Sequence, residues 1–408
     1  MRVLLSTIGS RGDVQPLVAL AKELKALGQE ARFCAPPDFR ERVEGFGVPF
    51  FPIGPEVRST AKVSRPSAPA VPPTIEQVRQ MMAGTVATQF ATIPAAAEGC
   101  DVIIGANALQ VAAPSIAELA GIPYVFAAYC PVTLPSPHHA PPAVMAWKPQ
   151  DPTAGNLALW AEDAARWIES WGPALNSERA ARGLPPVADV RSHILTNQPW
   201  LAADPVLAPW PSPSELNVFQ LGAWILPDDR PLSVEVESFL AAGEPPIYFG
   251  FGSVRAPQDL GRTVIESARV LKRRATILRG WADVTVDDDG ADYLSIGEVN
   301  QQALFKRVAA AVHHGGAGTT TAATRAGVPQ VAIPQIYDQP YWARRVAELG
   351  IGVSHAQGVP SVESLTFALR AALRPEVAAR AHVVAEGVRT DGARLAAERL
   401  IRTLQNAS

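Results

Sequence analysis

The run His313-His314-Gly315-Gly316-Ala317-Gly318-Thr319-Thr320-Thr321 carries the strongest chemical signal in the chain. Before it stands Val308-Ala309-Ala310-Ala311-Val312, an apolar run of strand length. After it, Ala322 to Ala326 reads as a helix closed by Gly327. Strand, glycine loop and helix aim free backbone N–H groups at an anion. The glycines let the main chain approach a ligand closely. Thr319 can cap the helix or donate a hydroxyl, and His313, at the strand end, can donate to a phosphate oxygen. The pattern predicts diphosphate binding; the alternative is a turn that needs glycine for geometry alone. No Gly-Lys-Ser/Thr ending makes it a Walker loop, and the glycine spacing is not the dinucleotide fingerprint. Neither Cys nor carboxylate stands near the two histidines at ligand spacing, which argues against zinc.

Three further groups carry chemistry. Asp13 lies in the loop between the strand Arg2–Ser6 and a helix, where a carboxylate can face a crevice. As a general base it would take the proton of a hydroxyl acceptor; as a plain feature it would cap the helix. Ser10 and Gly12 offer donors beside it, and Arg11 either fixes the loop or lies on the surface. Asp338 and Gln339 follow a strand ending at Pro334 and suit vicinal sugar hydroxyls, unless they only cap the next helix. Glu298, Val299 and Asn300 offer main-chain groups and an amide to a pyrimidine edge. Trp281 either stacks on a base or ribose or fills an interface.

The elements that position these residues follow from periodicity. Leu17, Leu20, Ala21, Leu24 and Leu27 mark a helix that Gly28 ends, with Pro16 in its first turn. Ala31–Ala35 and Val48–Ile53 are the next strands, so βα alternation predicts a parallel sheet covered on both faces. Residues 52–74, rich in Pro, Ser and Ala, read as a surface loop near a ligand mouth. Ile75–Ala97 is a helix with Val78, Met82, Val86, Phe90 and Ile93 on one face and Met81-Met82 as core filler. Asp101–Gly105 and Pro123–Phe126 are strands. The loop 130–152, with His138, His139 and Trp147, is a cleft wall or a plain connector. Trp160, Trp167 and Trp171 at helical spacing read as a core stripe. Leu216–Trp224 is the last strand of the first half, between prolines at 209–213 and 227–231 that bracket a domain change. The second half repeats the scheme: a strand from Pro246 into the turn Gly250-Phe251-Gly252-Ser253, a helix to about Arg274, then strands Ala275–Trp281, Tyr293–Ile296 and Gln330–Ile333. Asp287-Asp288-Asp289-Gly290 reads as a solvated turn, for it lacks the spacing of a calcium loop.

Composition bounds the rest. A chain of 408 residues suggests two or three domains. A formal net charge of −3 implies no basic surface for nucleic acid. Cys34, Cys100 and Cys130 read as buried thiols of a reducing cytoplasm. No signal peptide or bilayer-spanning run is evident, so neither membrane nor export is expected.

Ser10-Arg11-Gly12-Asp13, Cys34-Ala35-Pro36-Pro37, Asn176-Ser177-Glu178-Arg179, Gly222 to Pro227, Gly250 to Ser253, Arg279 to Asp283, Gly297 to Asn300, His313 to Thr319 and Asp338-Gln339-Pro340, in that order, resemble the glycosyltransferases of glycopeptide antibiotic biosynthesis, of the vancomycin and teicoplanin type. The resemblance runs from Met1 to about Ala397. It implies the GT-B fold, two Rossmann-like domains with parallel sheets facing across a cleft. On that pattern residues 1–215 bind acceptor, 216–235 link, 236–385 bind the nucleotide sugar, and a helix in 386–408 returns to the first domain. It implies inverting transfer of a hexose from a UDP- or dTDP-sugar to a glycopeptide aglycone hydroxyl, without a metal and with Asp13 as base. Ser10, Ser253, His313, Gly316, Ala317, Gly318 and Thr319 would hold the diphosphate. Trp281, Glu298, Val299 and Asn300 would line the nucleoside pocket, and Asp338 and Gln339 the sugar. The loop at 55–74 would shape the acceptor site, and the chain would act as a cytoplasmic monomer. The rival readings are a transferase for a macrolide or polyketide, a sugar-nucleotide epimerase, and a non-catalytic nucleotide-sugar binder.

Overall fold

The computed structural model describes residues 1–58, 74–107, 109–143, 149–252, 260–281 and 290–406. The first lobe runs β1 (Arg2–Thr7), α1 (Arg11–Ala26), β2 (Glu30–Ala35), α2 (Arg40–Glu44), β3 (Phe50–Pro52), α3 (Ile75–Ala97), β4 (Val102–Ala106), α4 (Ala113–Ala120), β5 (Tyr124–Ala128), α5 (Asn156–Ala180), α6 (Val190–Leu195), β6 (Trp200–Leu201) and β7 (Phe219–Gln220). The second runs α7 (Val234–Ala241), β8 (Ile247–Gly250), α8 (Leu260–Val270), β9 (Ala275–Leu278), β10 (Tyr293–Ile296), α9 (Gln301–Leu304), β11 (Ala310–His313), α10 (Ala317–Arg325), β12 (Gln330–Ala332), α11 (Gln339–Glu348), β13 (Gly352–Ser354), α12 (Val362–Ala372) and α13 (Pro375–Gly387). α14 (Gly392–Gln405) follows.

The strands form two parallel sheets, ordered β3-β2-β1-β4-β5-β6-β7 and β10-β9-β8-β11-β12-β13. Parallel pairing puts helices on both faces, which is why the central strands are apolar throughout. Val3, Leu4 and Leu5 of β1 are fully buried, as are Ala310, Ala311 and Val312 of β11. Strand order reverses at β1/β4 in the first sheet and at β8/β11 in the second. Ligands of open α/β sheets bind beyond the carboxyl ends at such reversals. The loops that carry Asp13 and the histidine doublet leave the sheets at these two points.

Several expectations change in detail. α1 starts at Arg11, so Pro16 lies beyond its first turn, where its ring removes one hydrogen bond from the helix. Met81 is 65% exposed and only Met82 packs on the core. The strand expected over Leu216–Trp224 contracts to Phe219–Gln220, which completes the first sheet. α8 stops at Val270, and Lys272 then turns the chain with φ +53° before β9. Trp160, Trp167 and Trp171 are all buried, and the last two stack with centroids 6.0 Å apart.

The chain passes between the lobes twice. The first crossing follows β7. Asn300 donates to the carbonyls of Asp228 and Arg230, each at 2.7 Å, and Gln302 donates to Leu226 O at 2.8 Å. The second precedes α14, where Arg389 N donates to Asp204 Oδ2 at 2.8 Å. The crossings touch: a Cβ on Gly222 would lie 3.3 Å from Gly392 Cα, and one on Gly392 would lie 2.6 Å from Gly222 O. α14 then packs on α1, with Ala396, Ala397 and Leu400 buried in the cluster that holds Leu17, Leu20 and Leu24. Among the described residues no helix is long and apolar enough to cross a membrane.

Candidate active site

The corner after β1 is closed by its own side chains. Ser10 is the N-cap of α1, and Asp13 is its partner in a capping box. Asp13 Oδ2 accepts from Ser10 N at 2.7 Å and from Ser10 Oγ at 3.2 Å, while Ser10 Oγ accepts from Gly12 N at 3.3 Å. The Ser10 hydroxyl is therefore spent on this turn, where the sequence suggested a donor for diphosphate. A Cβ at Gly9 would collide with the Asp13 carboxylate, so glycine is required for that close approach. Asp13 Oδ1 accepts from Asn107 Nδ2 at 3.2 Å, and Tyr129 Oη donates to the Asp13 carbonyl at 3.0 Å. Burial raises the Asp13 pKa, and the Asn107 and Ser10 hydrogen bonds pull it back.

The corner after β11 is open. Gly316 is the N-cap of α10 and supplies no side chain, so Thr319 sits inside the helix and does not cap it. Thr320 N is the first to find a helix partner, Gly316 O at 3.0 Å. The N–H groups of Gly316, Ala317, Gly318 and Thr319 have no hydrogen-bond acceptor among the described residues. These are the orphan donors of a helix start, at its positive end.

The doublet supports that opening from behind. His313 is fully buried; its Nδ1 accepts from Gly315 N at 3.0 Å and its Nε2 lies 3.0 Å from Gln330 Oε1. An N–H facing Nδ1 fixes the neutral tautomer with the proton on Nε2. Burial, which lowers the His313 pKa to about 4, agrees with a neutral ring. Gln330 Nε2 continues the chain to Thr324 Oγ1, which donates to Thr320 O. Both ring nitrogens of His313 are thus engaged, contrary to the expected bond to phosphate: the ring braces the loop. His314 is the half-buried neighbour, and its Nδ1 has no partner among the described residues. A Cβ at Gly252 or Gly316 would press on its ring.

The expected nucleoside residues are mostly occupied. Asn300 caps α9, accepting from Ala303 N at 3.0 Å, and its amide nitrogen holds the first crossing, so both ends of the side-chain amide are already engaged. Glu298 pairs across the lobes with Arg42 at 2.9 Å and Arg11 at 3.5 Å. Trp281 packs on the first lobe's core, tilted against Phe39 at 6.2 Å, which is the interface-filling alternative. Val299 packs beside Leu304 and Ile296. Ser253, Trp147, the 287–289 turn and most of the 55–74 loop lie outside the described residues.

Asp338 and Gln339 stand beside the open corner. A Cβ at Gly315 would lie 3.0 Å from Gln339 O. Gln339 Oε1 accepts from Gln335 N and Ile336 N, and its Nε2 meets no partner among the described residues. Asp338 Oδ2 accepts from Trp342 Nε1 at 2.9 Å. Burial pushes Asp338 up to about 6, and the Asp13 charge adds to the rise. The two carboxylates, one from each lobe, therefore feel each other across the gap. Sequence reasoning missed Asn107, Tyr129 and Gln330. Asn107 and Tyr129 follow the carboxyl ends of β4 and β5, so the rule for switch points was the available signal.

Residues 3–136 match the glycosyltransferase family 28 N-terminal domain, and residues 293–394 match the erythromycin biosynthesis protein CIII-like C-terminal domain. The chain superposes on the glycotransferase of kitacinnamycin with a TM-score of 0.72 at 19% identity, covering 98% of each chain. On glycosyltransferase VinC in complex with dTDP the TM-score is 0.66 at 21% identity, over 100% of each chain. The fold is that of a GT-B glycosyltransferase.

Curated relatives are closer. Glycosyltransferase GtfE of Amycolatopsis orientalis is 52% identical, over 98% of this chain and 97% of the relative. The vancomycin aglycone glucosyltransferase of the same organism is 51% identical, over 98% and 97%. Its dTDP-epi-vancosaminyltransferase is 46% identical, over 94% and 93%. The chain belongs to the vancomycin-type glycopeptide glycosyltransferases, enzymes that transfer a sugar to an aglycone.

Proposed function

We propose that the chain moves a hexose from a UDP- or dTDP-sugar onto a hydroxyl of a vancomycin- or teicoplanin-type heptapeptide aglycone, with inversion and without a metal. Asp13 takes the hydroxyl proton as the acceptor oxygen bonds to the anomeric carbon. The bond to the diphosphate breaks on the opposite face, so one displacement inverts the centre. The leaving group gathers negative charge, and the bare N–H groups of Gly316, Ala317, Gly318 and Thr319 receive it. Asp338 and the free Gln339 amide face the sugar between them. His313 serves the diphosphate indirectly, through the loop it braces. Glu298 and Val299 border the nucleoside side, with Trp281 behind them.

The observation that carries this reading is the juxtaposition of an anionic corner and an anion-seeking corner on facing lobes. Two relatives speak to the substrates: one is named a vancomycin aglycone glucosyltransferase, another a dTDP-epi-vancosaminyltransferase. VinC, a structural neighbour, holds dTDP. A reducing, cytoplasmic setting suits the free buried thiols Cys34, Cys100 and Cys130. The deciding experiment incubates the protein with a glycopeptide aglycone, with a macrolide aglycone or with no acceptor, against a panel of UDP- and dTDP-sugars, with and without EDTA, and reads products by mass. A β-linked glycoside from an α-donor, undiminished by EDTA, is expected. Product only on a macrolide aglycone, or donor turnover without acceptor, overturns the assignment.

A further inference from the structure

Asn107 is the residue immediately after β4, at the strand-order reversal of the first sheet, and it adopts φ +67°. Its side chain is fixed from both ends. Oδ1 accepts from Leu109 N at 3.0 Å, so the amide nitrogen must point the other way. Nδ2 then lies 2.7 Å from Ile8 O, 3.1 Å from Thr7 Oγ1 and 3.2 Å from Asp13 Oδ1. β1 and β4 are paired with Thr7 opposite Ala106, so the sheet register delivers the amide to this spot.

We propose that Asn107 is a positioning residue for sugar transfer, which holds Asp13 in its ionised form and directs it to accept a proton on Oδ1. This rests on Asp13 being the base. The Asp13 oxygens are loaded unequally: Oδ2 takes two donors from Ser10, and Oδ1 takes one from Asn107. The open lone pair is therefore on Oδ1. What opposes ionisation of this carboxylate is its burial, and the hydrogen bonds from Asn107 and Ser10 counter it. On the other lobe, burial and, beyond it, the Asp13 charge raise Asp338 and the neutral phenol of Tyr337, in the loop before α11. Tyr129, after β5, engages only the Asp13 carbonyl. On its own helix, Arg11 turns to Glu298. Asn107 is thus the sole donor on Oδ1 among the described residues. An amide can only donate from its nitrogen, so it favours the carboxylate over the neutral acid.

The test compares Asn107→Asp and Asn107→Gly with the full-length wild type. Glycine tolerates the positive φ and removes the donor; aspartate keeps the shape and replaces the donor with an acceptor. The expected result for Asn107→Asp is a kcat at pH 7 at least about tenfold lower. Its acid limb of kcat/KM should move up by one pH unit or more, with partial recovery at high pH and KM for the nucleotide sugar within about twofold. Asn107→Gly should also lose kcat, with a smaller displacement of the acid limb. Superimposable pH profiles for wild type and both variants overturn the proposal, as does a loss that is uniform over pH and matched by a lower melting temperature. Asp13→Asn separates the two readings. If that variant is inactive while the Asn107 variants keep the wild-type profile, only the positioning role fails. If Asp13→Asn keeps its turnover, the base assignment fails first.

Discussion

The corners after β1 and after β11 have the same architecture and opposite chemistry. Both are strand, tight turn and helix at the carboxyl end of a parallel sheet, next to the place where strand order reverses. In the first, Ser10 and Asp13 satisfy the helix start from within the chain and leave a carboxylate behind. In the second, a glycine stands at the cap and the first N–H groups of the helix are left without a partner among the described residues. The corners differ at two positions, Ser10 against Gly316 at the cap and Asp13 against Thr319 three residues on, and these decide which lobe presents a carboxylate and which presents unpaired N–H groups. Backbone geometry is shared; the polarity of the site comes from how each helix begins.

The comparison breaks most visibly at Asp13. Asp13→Asn is expected to reduce turnover by roughly 100-fold or more, the usual scale for loss of a general base. Its affinity for UDP or dTDP by calorimetry should stay within about twofold, because the anion corner is untouched. Turnover equal to wild type would remove the carboxylate from the chemistry.

The second corner can be made to imitate the first. A Cβ at Gly318 meets nothing within 4 Å, so Gly318→Asp fits without strain and puts a carboxylate at the open helix start. Nucleotide affinity should fall by about tenfold or more, while the melting temperature holds or rises, since an acid in the first helical turn is worth about 0.3–1 kcal/mol. Unchanged affinity would mean that diphosphate binds elsewhere.

His313→Ala tests the brace. It strands Gly315 N–H and Gln330 Oε1, at a cost of about 1–3 kcal/mol, and weakens nucleotide binding by loosening the loop. The ring also links stability to pH. His313 is held neutral, with its pKa lowered from 6.5 to about 4. The unfolded chain takes up a proton near 6.5, so its stabilisation is present above that pH and is lost as pH falls toward 4. Melting curves of the variant should therefore depend on pH less steeply in this window than those of wild type.

The smallest effect is expected at the link between the lobes. Glu298→Gln breaks half-exposed pairs with Arg42 and Arg11, worth less than about 1 kcal/mol. KM for the nucleotide sugar should shift by no more than about fivefold. A larger shift would show that Glu298 touches the nucleotide itself.

What could be read in advance divides along the same line. β10 and α3 fall on the residues that hydrophobic period and flanking signals mark, because those signals are local. The glycine loop was legible for the same reason: strand, turn and helix are contiguous. The occupancy of individual polar groups was not. Asn300 looks like a free amide until the linker carbonyls, 70 and 72 residues away, come back to meet it. Glu298 looks like a lining residue of the nucleoside pocket until Arg42, 256 residues earlier, arrives across the gap. His313 and His314 are adjacent and chemically identical, and only the burial of one ring between β11 and Gln330 tells them apart.

The meeting of the two crossings at Gly222 and Gly392 has a mechanical consequence. A body tied to its neighbour by two separated straps can barely turn, whereas straps that pass through one point act as a pin. Because side chains are missing there, the two backbones lie against each other and the pin is narrow. A closure of the facing corners would turn about that pin, and it would also have to carry or remake the Glu298–Arg42 pair and the Arg345–Leu207 bond that join the lobes elsewhere. Bulk introduced at Gly222 or Gly392 would widen the pin and set the corners askew without touching any group that handles substrate.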